Sequence, residues 1–250
     1  MKAFVLAAGF GTRMGELTRE LPKPLLSVGG YPLIAHALFR LRRWGVKSAI
    51  VNLHYRADAL EAYLRSFPFF PVAISRETSI LGTLGGVRFA LDRFSPDEPF
   101  LLLNPDAIFL PDPEDHPALP ATNPEGGLLM LSPRPPGSRE TGWSFQDPKK
   151  EDPGPLRRDE NGAYYYIGCA LISPGPLRAL PAGVPGEFGP FWTKQAEAGL
   201  LSGRVFRGKV LAAGDKSSFL SLKDENVILP EEQEAWEEFT GDWPAGELKP

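Results

Sequence analysis

The sequence predicts an α/β fold: a Rossmann-like, mixed and mainly parallel sheet with helices on both faces and a small antiparallel extension. Short apolar runs alternate with segments whose apolar residues recur at every third or fourth position, which is typical of strands followed by helices. This alternation implies right-handed βαβ units and a parallel sheet covered on both faces. The extension is predicted after about Pro111, where proline, glycine and charge dominate and the Asn161-Gly162 pair indicates a tight hairpin.

Strand and helix follow one another through the first part of the chain. AFVLAA ends at a glycine and predicts a buried strand, and YPLIAHALFRLRRWGV predicts a helix with Pro32 near its start and Gly45 at its end. Further strands are predicted at KSAIVNL, PVAIS and PFLLLN, with helices at ADALEAYLRSF and LGGVRFALDRF between them. Ligands of such sheets bind beyond the carboxyl ends of the strands. A site is therefore expected in the loops after Ala8, Asn52, Ser75 and Asn104.

The second part of the chain mixes strands and helices. GLLMLS, AYYYIGCALIS and RVFRGKVLAA each predict one strand, and GPFWTKQAEAGLL predicts a helix. SSFLSLKDENVI predicts a helix that is opened by a serine cap. PEEQEAWEEF predicts an acidic amphipathic helix with Trp236 and Phe239 facing inward.

Length and composition limit the class of protein. A chain of 250 residues with 42% hydrophobic residues is expected to form a single domain over residues 1–250. The net charge of -4 argues against a nucleic acid or an anionic membrane as partner, because both need a basic surface. Cys169 is the only cysteine and the three histidines are scattered, so neither a disulfide framework nor a zinc site is expected.

Location and source are also suggested by composition. No window approaches about eighteen apolar residues, and the N-terminal apolar run lacks the features of a signal peptide, so a cytoplasmic protein without a membrane partner is expected. The 27 prolines, against one cysteine and three methionines, favour a thermophile.

The glycine-rich corner after the first strand has the composition of a phosphate site. Its glycines allow a sharp turn that exposes consecutive backbone N–H groups, while Arg13 adds a fork of donors and Lys23 a compact charge. Glycines in tight α/β turns also serve purely steric purposes, so the turn alone does not decide between the two roles. The candidate residues that the corner itself indicates are Gly9, Gly11 and Arg13.

The longer string LAAGFGTRMGELTRELPKPLL resembles the signature of the sugar-1-phosphate nucleotidylyltransferases, with Glu16 where proline is common. The resemblance continues through VNLHYRADALEAYL, ETSILGTLGGVRFAL, LLLNPDAIF, YIGCALISP and AEAGLLSGRVFRGKVLAAGD. The short length and the absence of a β-helix repeat resemble the subgroup of uridylyl- and guanylyltransferases that act on N-acetylmuramate, heptose or mannose 1-phosphate. The resemblance implies transfer of a nucleoside monophosphate from a nucleoside triphosphate to a sugar 1-phosphate, with Mg²⁺ as cofactor and pyrophosphate as second product.

The resemblance also implies residue roles. Arg13, Lys23 and Asp106 are the implied catalytic residues, and Asp106 is an implied magnesium ligand. Residues 1–110 would form the nucleotide-binding half, and residues 111–250 the sugar-binding half with the C-terminal helices. Leu6, Ala8 and Thr12 match the family string and are candidates for the nucleotide. Further candidates for the nucleotide are Asn52, Glu77, Gly82 and Gly85, with ordinary turn chemistry as the alternative. Candidates for the sugar are Thr141, Gly142, Gly168 and Glu187, with loop or sheet roles as the alternative.

The last segment departs from the family pattern. Ala212 stands where the family has a second magnesium aspartate, Val210 replaces a tryptophan, and Pro105 replaces the glycine before Asp106. An alanine cannot ligate magnesium, which takes oxygen ligands. Three readings stay open: Asp215 replaces the missing ligand, water and substrate phosphates complete the shell around Asp106, or catalysis is weak or lost.

Two other functions compete with the enzyme. A nucleotidylyltransferase-like module could sense a nucleotide-sugar without making it, and the departures at the last segment favour this reading. A dinucleotide-binding protein would need a G-x-G-x-x-G spacing, which Gly9 and Gly11 do not continue. The base, the sugar and the oligomeric state, including a homo-oligomer, are left open by the sequence.

Overall fold

The computed structural model describes residues 1–112, 125–138, 140–147, 149 and 153–241. Its strands are β1 (Lys2–Val5), β2 (Ser27–Val28), β3 (Tyr31–Pro32), β4 (Ser48–Leu53), β5 (Val72–Arg76), β6 (Phe100–Leu103), β7 (Ala107–Pro111), β8 (Leu128–Pro133), β9 (Gly142–Phe145), β10 (Gly154–Arg158), β11 (Tyr164–Ile172), β12 (Ser202–Val205) and β13 (Gly208–Ala212). Its α-helices are α1 (Leu33–Arg43), α2 (Ala57–Ser66), α3 (Gly82–Ala90), α4 (Pro174–Arg178), α5 (Phe188–Glu197), α6 (Lys216–Leu222) and α7 (Gln233–Thr240).

The chain forms two compact units, each assembled from separate stretches. Unit 1 contains Met1–Phe4, Leu81–Leu103 and Pro111–Gly208. Unit 2 contains Val5–Ile80, Asn104–Leu110 and Lys209–Pro250. The polypeptide therefore leaves unit 2 and returns to it twice.

Unit 1 is built around a mixed sheet. Strand β11 pairs antiparallel with β6 and β8, whereas β12 pairs parallel with β8. The register of β11 against β8 shifts between Tyr166 and Ala170, around Gly168, whose φ is +86°. Buried apolar side chains of β6 and β11, among them Phe100, Leu103 and Leu171, form its core.

Unit 2 holds the parallel pair β4 and β5, in which Asn52 lies opposite Ser75. Helix α1 buries the side chains of Leu33, Ile34, Leu38 and Leu41, whose three- and four-residue spacing places them on one face. A second apolar cluster packs beneath the glycine-rich corner and consists of Met14, Leu26, Val28, Leu33, Ile108, Ala213, Phe219 and Val227.

Several predicted elements have different bounds in the structure. RVFRGKVLAA is not one strand but two, because β12 ends at Val205 and β13 begins at Gly208. The helix predicted from SSFLSL begins at Lys216 and is capped by Asp215 instead of a serine. Trp236 and Phe239 are buried on α7, which confirms the inward face of that helix. Among the described residues, no helix is long and apolar enough to span a membrane.

His36 on α1 is expected to make the stability of the protein depend on pH. Its Nε2 lies 3.0 Å from the Val28 carbonyl oxygen, its ring stacks on Trp236, and burial lowers its pKa from 6.5 to about 4. Below pH 6.5 His36 is protonated in the unfolded chain, whereas in the folded chain it stays neutral until about pH 4. The free energy of unfolding therefore falls as the pH falls from 6.5 to about 4.

We expect His36 to lower the free energy of unfolding by about 2 kcal/mol between pH 7 and pH 5. Urea unfolding of the wild type and of His36→Phe at both pH values measures this effect. Phenylalanine retains an aromatic ring beside Trp236 but cannot be protonated, so the variant should lose less stability on acidification. Equal losses in the two proteins would contradict the assignment.

Candidate active site

The chain leaves β1 and forms a glycine-rich turn over residues 6–18, here called the phosphate loop. Gly11 has a φ of +64°, and a Cβ there would lie 2.9 Å from Thr18 Cγ2. The Thr18 hydroxyl donates to the Gly11 carbonyl oxygen at 3.2 Å. Gly9, by contrast, faces open space, with nothing within 4 Å of a built Cβ. Gly11 therefore supports the loop conformation, while the space over Gly9 can admit a ligand.

The other candidates of the loop differ in exposure. Ala8 is buried and Leu6 is half-buried, so they support the loop from beneath. Thr12 and Arg13 are exposed and begin a short 3-10 helix over Thr12–Thr18. Sequence reasoning gave no function to Thr18, although its buried hydroxyl closes the loop.

Gly9 and Gly11 make a matched pair for testing the loop. We expect Gly11→Ala to lower the melting temperature, because alanine is strained at that φ and its methyl group contacts Thr18. Gly9→Ala should leave the melting temperature unchanged but weaken nucleotide binding, since its methyl group fills the open space. Thermal melts with and without nucleotide separate the two effects. Full nucleotide binding by Gly9→Ala would show that no phosphate occupies this space.

Lys23 and Asp106 form the central ion pair of unit 2. Lys23 Nζ donates to Asp106 Oδ2 at 2.5 Å and to the Gly214 carbonyl oxygen at 2.9 Å. The two side chains are 13% and 23% exposed, so the charges are largely, but not fully, withdrawn from water. Pro22 and Pro24 flank Lys23 and restrict its backbone. The structure thus brings together two of the three residues predicted to be catalytic.

The backbone around Asp106 is fixed by β13. The Ala213 N–H donates to the Asp106 carbonyl oxygen at 2.8 Å. Gly214, which follows, accepts from Lys23 and lies near Arg13, whose Nη1 would be 3.8 Å from a built Cβ at Gly214. Arg13, Lys23 and Asp106 consequently all lie near the segment after β13.

Asp215 serves as the N-cap of α6. Its Oδ1 accepts from the Ser218 N–H at 2.9 Å, and its own N–H donates to the Ser218 hydroxyl at 3.2 Å, which completes a capping box. The hydrogen bond from the Ser218 backbone is the main cause that lowers the pKa of Asp215. One carboxylate oxygen of Asp215 is therefore already hydrogen-bonded. Capping of α6 is a sufficient reason for an aspartate at this position, without a metal.

The described residues do not form a cage of protein ligands for a metal, since no group of three or more His, Cys, Asp or Glu side chains is suitably placed among them. Ala212 is exposed and presents only a methyl group. Magnesium that acts on phosphates is commonly held by one or two carboxylates, with water and substrate as its other ligands. Asp106 fits a site of that kind.

Asn52 and Glu77 lie at the ends of β4 and β5 and are both buried. Asn52 Oδ1 accepts from the Ala7 N–H at 2.7 Å, and Asn52 Nδ2 donates to Glu77 Oε1 at 2.7 Å. His54 Nδ1 lies 3.0 Å from the Glu77 carbonyl oxygen. The two predicted nucleotide residues are thus bonded to each other and to the start of the phosphate loop.

Gly82 and Gly85 lie in unit 1, at the start of α3, and approach the backbone before α5. A Cβ at Gly82 would lie 2.6 Å from the Gly186 carbonyl oxygen, and one at Gly85 would lie 2.6 Å from the Val184 carbonyl oxygen. Glu187 Oε2 accepts from the Thr83 hydroxyl at 2.6 Å. This close packing explains both glycines, and the side chain of Glu187, a predicted sugar residue at the N-cap of α5, contacts the first turn of α3.

Gly142 and Gly168 occupy special backbone positions in unit 1. A Cβ at Gly142 would lie 2.2 Å from the Asp159 carbonyl oxygen, so only glycine fits where β9 meets the turn between β10 and β11. In the described residues, β10 and β11 each pair with β9 instead of with each other, so the tight hairpin predicted at Asn161-Gly162 is wrong. Gly168 lies at the register shift of β11 described above. Thr141 is exposed and precedes β9. Each position has a structural explanation, and a role with the sugar stays a prediction.

The site lies in a mixed α/β protein, where a glycine-rich loop lies beside a lysine and an aspartate. Residues 3–127 match the MobA-like NTP transferase domain. The chain is 33% identical over 239 residues to the N-acetylmuramate alpha-1-phosphate uridylyltransferase of Caulobacter vibrioides, a match that covers 88% of this chain and 95% of that protein. The chain therefore belongs to the MobA-like NTP transferase family, and its resemblance to the sugar-1-phosphate nucleotidylyltransferases is confirmed.

Other relatives match a shorter part. The chain is 35% identical over 113 residues to mannose-1-phosphate guanylyltransferase 1 of Arabidopsis thaliana, which covers 43% of this chain and 31% of the relative. It thus spans about a third of the length of this and the rice mannose-1-phosphate guanylyltransferases. Among solved structures, a UDP-glucose pyrophosphorylase complexed with UDP-glucose superposes with a TM-score of 0.74 at 15% identity, over 89% of this chain and 97% of that one. That likeness concerns the fold.

Proposed function

We propose that this protein transfers a nucleoside monophosphate from a nucleoside triphosphate to a sugar 1-phosphate, giving a nucleotide-sugar and pyrophosphate. The observation that carries the proposal is the Lys23 ammonium group, held 2.5 Å from Asp106 beside the phosphate loop. A cation, a carboxylate and exposed backbone donors are the groups that phosphoryl transfer requires. The names of the relatives, uridylyl- and guanylyltransferases, support the same reaction.

The reaction needs positioning and charge neutralisation more than covalent help. A phosphate oxygen of the sugar 1-phosphate forms a bond to the α-phosphorus, and the bond from that phosphorus to the β-phosphate breaks, so pyrophosphate leaves with the electron pair. The phosphate loop and Arg13 are proposed to hold the β- and γ-phosphates. Lys23 is proposed to neutralise the α-phosphate with the third N–H of its ammonium group, because Asp106 and Gly214 accept from the other two.

Mg²⁺ is the proposed cofactor, with Asp106 as its protein ligand. When bound, it would supply positive charge to the phosphates of the triphosphate. The hydrogen-bonded position of Asp215 favours the reading in which substrate phosphates and water complete the shell, over the reading in which Asp215 is a second ligand. Asp215 keeps a second carboxylate oxygen, so its predicted metal role is tested below.

Several predictions accompany this function. We propose a Rossmann-like arrangement with an antiparallel extension. We also propose a single nucleotidyltransferase-like domain in which residues 1–110 form the nucleotide-binding half. A cytoplasmic location, a thermophilic source and a homo-oligomer are also proposals. We also propose that the base is contacted by Glu77, Gly82 and Gly85. The sugar is proposed to contact Gly142, Gly168 and Glu187.

The alternative is a protein that binds a nucleotide-sugar without making it. Ala212 favours this alternative because it leaves Asp106 without the second carboxylate that the family pattern has. Pyrophosphate release, measured for the four nucleoside triphosphates against N-acetylmuramate, mannose, heptose and glucose 1-phosphates, tests the proposal. Release with at least one pair supports the enzyme and identifies base and sugar. Binding of nucleotide-sugar without release from any pair would favour the alternative.

A further inference from the structure

The end of β4 contacts the phosphate loop at both of its ends. At the entrance, the Ala7 N–H donates to Asn52 Oδ1. At the exit, the Tyr55 hydroxyl donates to the Thr18 carbonyl oxygen at 2.8 Å. Between them, the Phe10 ring packs edge-on against Tyr55, with centroids 5.6 Å apart. One short segment, residues 52–55, therefore fixes the loop at three points.

The geometry leaves Asn52 little capacity for a ligand. The Ala7 N–H can only donate, so Asn52 must present its oxygen there, and its amide nitrogen must then face Glu77. Each end of the amide makes one hydrogen bond at 2.7 Å, and the residue is only 2% exposed. Its second N–H and second lone pair are therefore buried with it, and a nucleotide could reach them only by displacing the residues that cover Asn52, which would disturb these buried hydrogen bonds.

We propose that Asn52 and Tyr55 are positioning residues that hold the phosphate loop in its binding conformation, and that neither contacts the nucleotide. This rests on the proposed function, and it replaces the sequence-based expectation that Asn52 contacts the nucleotide. Asn52 sets the direction in which the chain leaves β1, and Tyr55 fixes the point at which the loop closes through Thr18. Through Glu77, the same network joins the ends of β4 and β5 to the loop.

The proposal predicts that the loss in affinity grows with the number of phosphates. Asn52→Ala should weaken binding of inorganic tripolyphosphate, and of whichever of GTP or UTP binds best, by about tenfold, because the Ala7 N–H loses a buried acceptor. Binding of the matching monophosphate should change by less than about twofold. The KM for the triphosphate should rise more than kcat falls. Tyr55→Phe, which keeps the ring against Phe10, should show the same pattern with a smaller effect.

Ser75→Ala is the matched control. Ser75 lies opposite Asn52 in the sheet, is fully buried, and its hydroxyl has no hydrogen-bond partner, so its removal should leave all affinities unchanged. Calorimetric titration of the four proteins gives the affinities. An equal loss for monophosphate and triphosphate, with none for tripolyphosphate, would mean that Asn52 contacts the nucleoside and would overturn the proposal. Unchanged affinities in both variants would overturn it as well.

Hydrogen exchange separates this proposal from the proposed function. Exchange of backbone amides over residues 7–18 should accelerate in Asn52→Ala and Tyr55→Phe, but not in Ser75→Ala. If the wild type binds no triphosphate, the proposed function fails, and the exchange rates still test whether residues 52–55 hold the loop. Wild-type exchange rates in both variants would reject the positioning role.

Discussion

Replacing Lys23 by alanine is expected to lower kcat by about a hundredfold to a thousandfold while the protein stays folded. That magnitude is typical for removing one preorganised donor from charge that develops in a transition state. Lys23 is also the residue that joins Asp106 to Gly214, so its loss leaves the Asp106 carboxylate without its ammonium partner. Steady-state pyrophosphate release and a thermal melt measure the two consequences separately.

Lys216→Ala is the matched control for Lys23→Ala. Lys216 forms an ion pair with Glu16 beside the same loop, but its side chain is 45% exposed. An exposed ion pair contributes little, so kcat should stay within about twofold of the wild type. If Lys23→Ala were as active as Lys216→Ala, the proposed role of the Lys23 charge would be wrong.

Asp106→Asn is expected to abolish most turnover, by about a hundredfold or more, whereas Asp215→Asn should retain it. Asparagine caps helices about as well as aspartate, so Asp215→Asn preserves the capping box with Ser218 and removes only the charge. Asp106→Asn removes the carboxylate proposed to hold magnesium. Pyrophosphate release is measured against magnesium concentration for both variants.

Ala212→Asp completes this comparison. If Asp106 is short of a second carboxylate, the new aspartate should lower the magnesium concentration needed for half-maximal activity by about tenfold. Manganese binding, followed by electron paramagnetic resonance in the presence of nucleotide, should tighten in parallel and does not depend on turnover. A large loss of metal affinity in Asp215→Asn, with no gain in Ala212→Asp, would instead make Asp215 the replacement ligand.

Local sequence patterns were sufficient for most elements of the fold. The apolar spacing over 33–41 predicted α1, and Gly45, whose φ is +73°, lies just beyond the end of that helix at Arg43. The pattern failed at RVFRGKVLAA, where the apolar residues on both sides of Arg207 and Gly208 suggest one strand although β12 and β13 are separate. It failed again at α6, because both Asp215 and the serines after it are good N-caps and the hydrogen bond to Ser218 selects the aspartate.

The residues of the candidate site were likewise predicted only in part from the sequence. The phosphate loop, Lys23 and Asp106 were predicted from the sequence, because glycines, a flanked lysine and an aspartate after a strand form a recognisable string. Gly82 and Gly85 were predicted to admit a base, and that contact stays a prediction; in the structure, the backbone of the segment before α5 approaches the point where each Cβ would lie. A glycine indicates close approach, but its sequence context does not say what approaches.

The sequence by itself determined which residues carry charge and where the backbone can turn, since both are properties of single residues and their neighbours. Only the tertiary structure decided their partners. Lys23 bonds to Asp106 and Gly214, which are 83 and 191 residues away, and Ala7 bonds to Asn52, which is 45 residues away. Such pairs depend on which strand ends and turns the fold brings side by side. Buried donors must find acceptors among whatever the fold supplies there, and no local pattern encodes that choice.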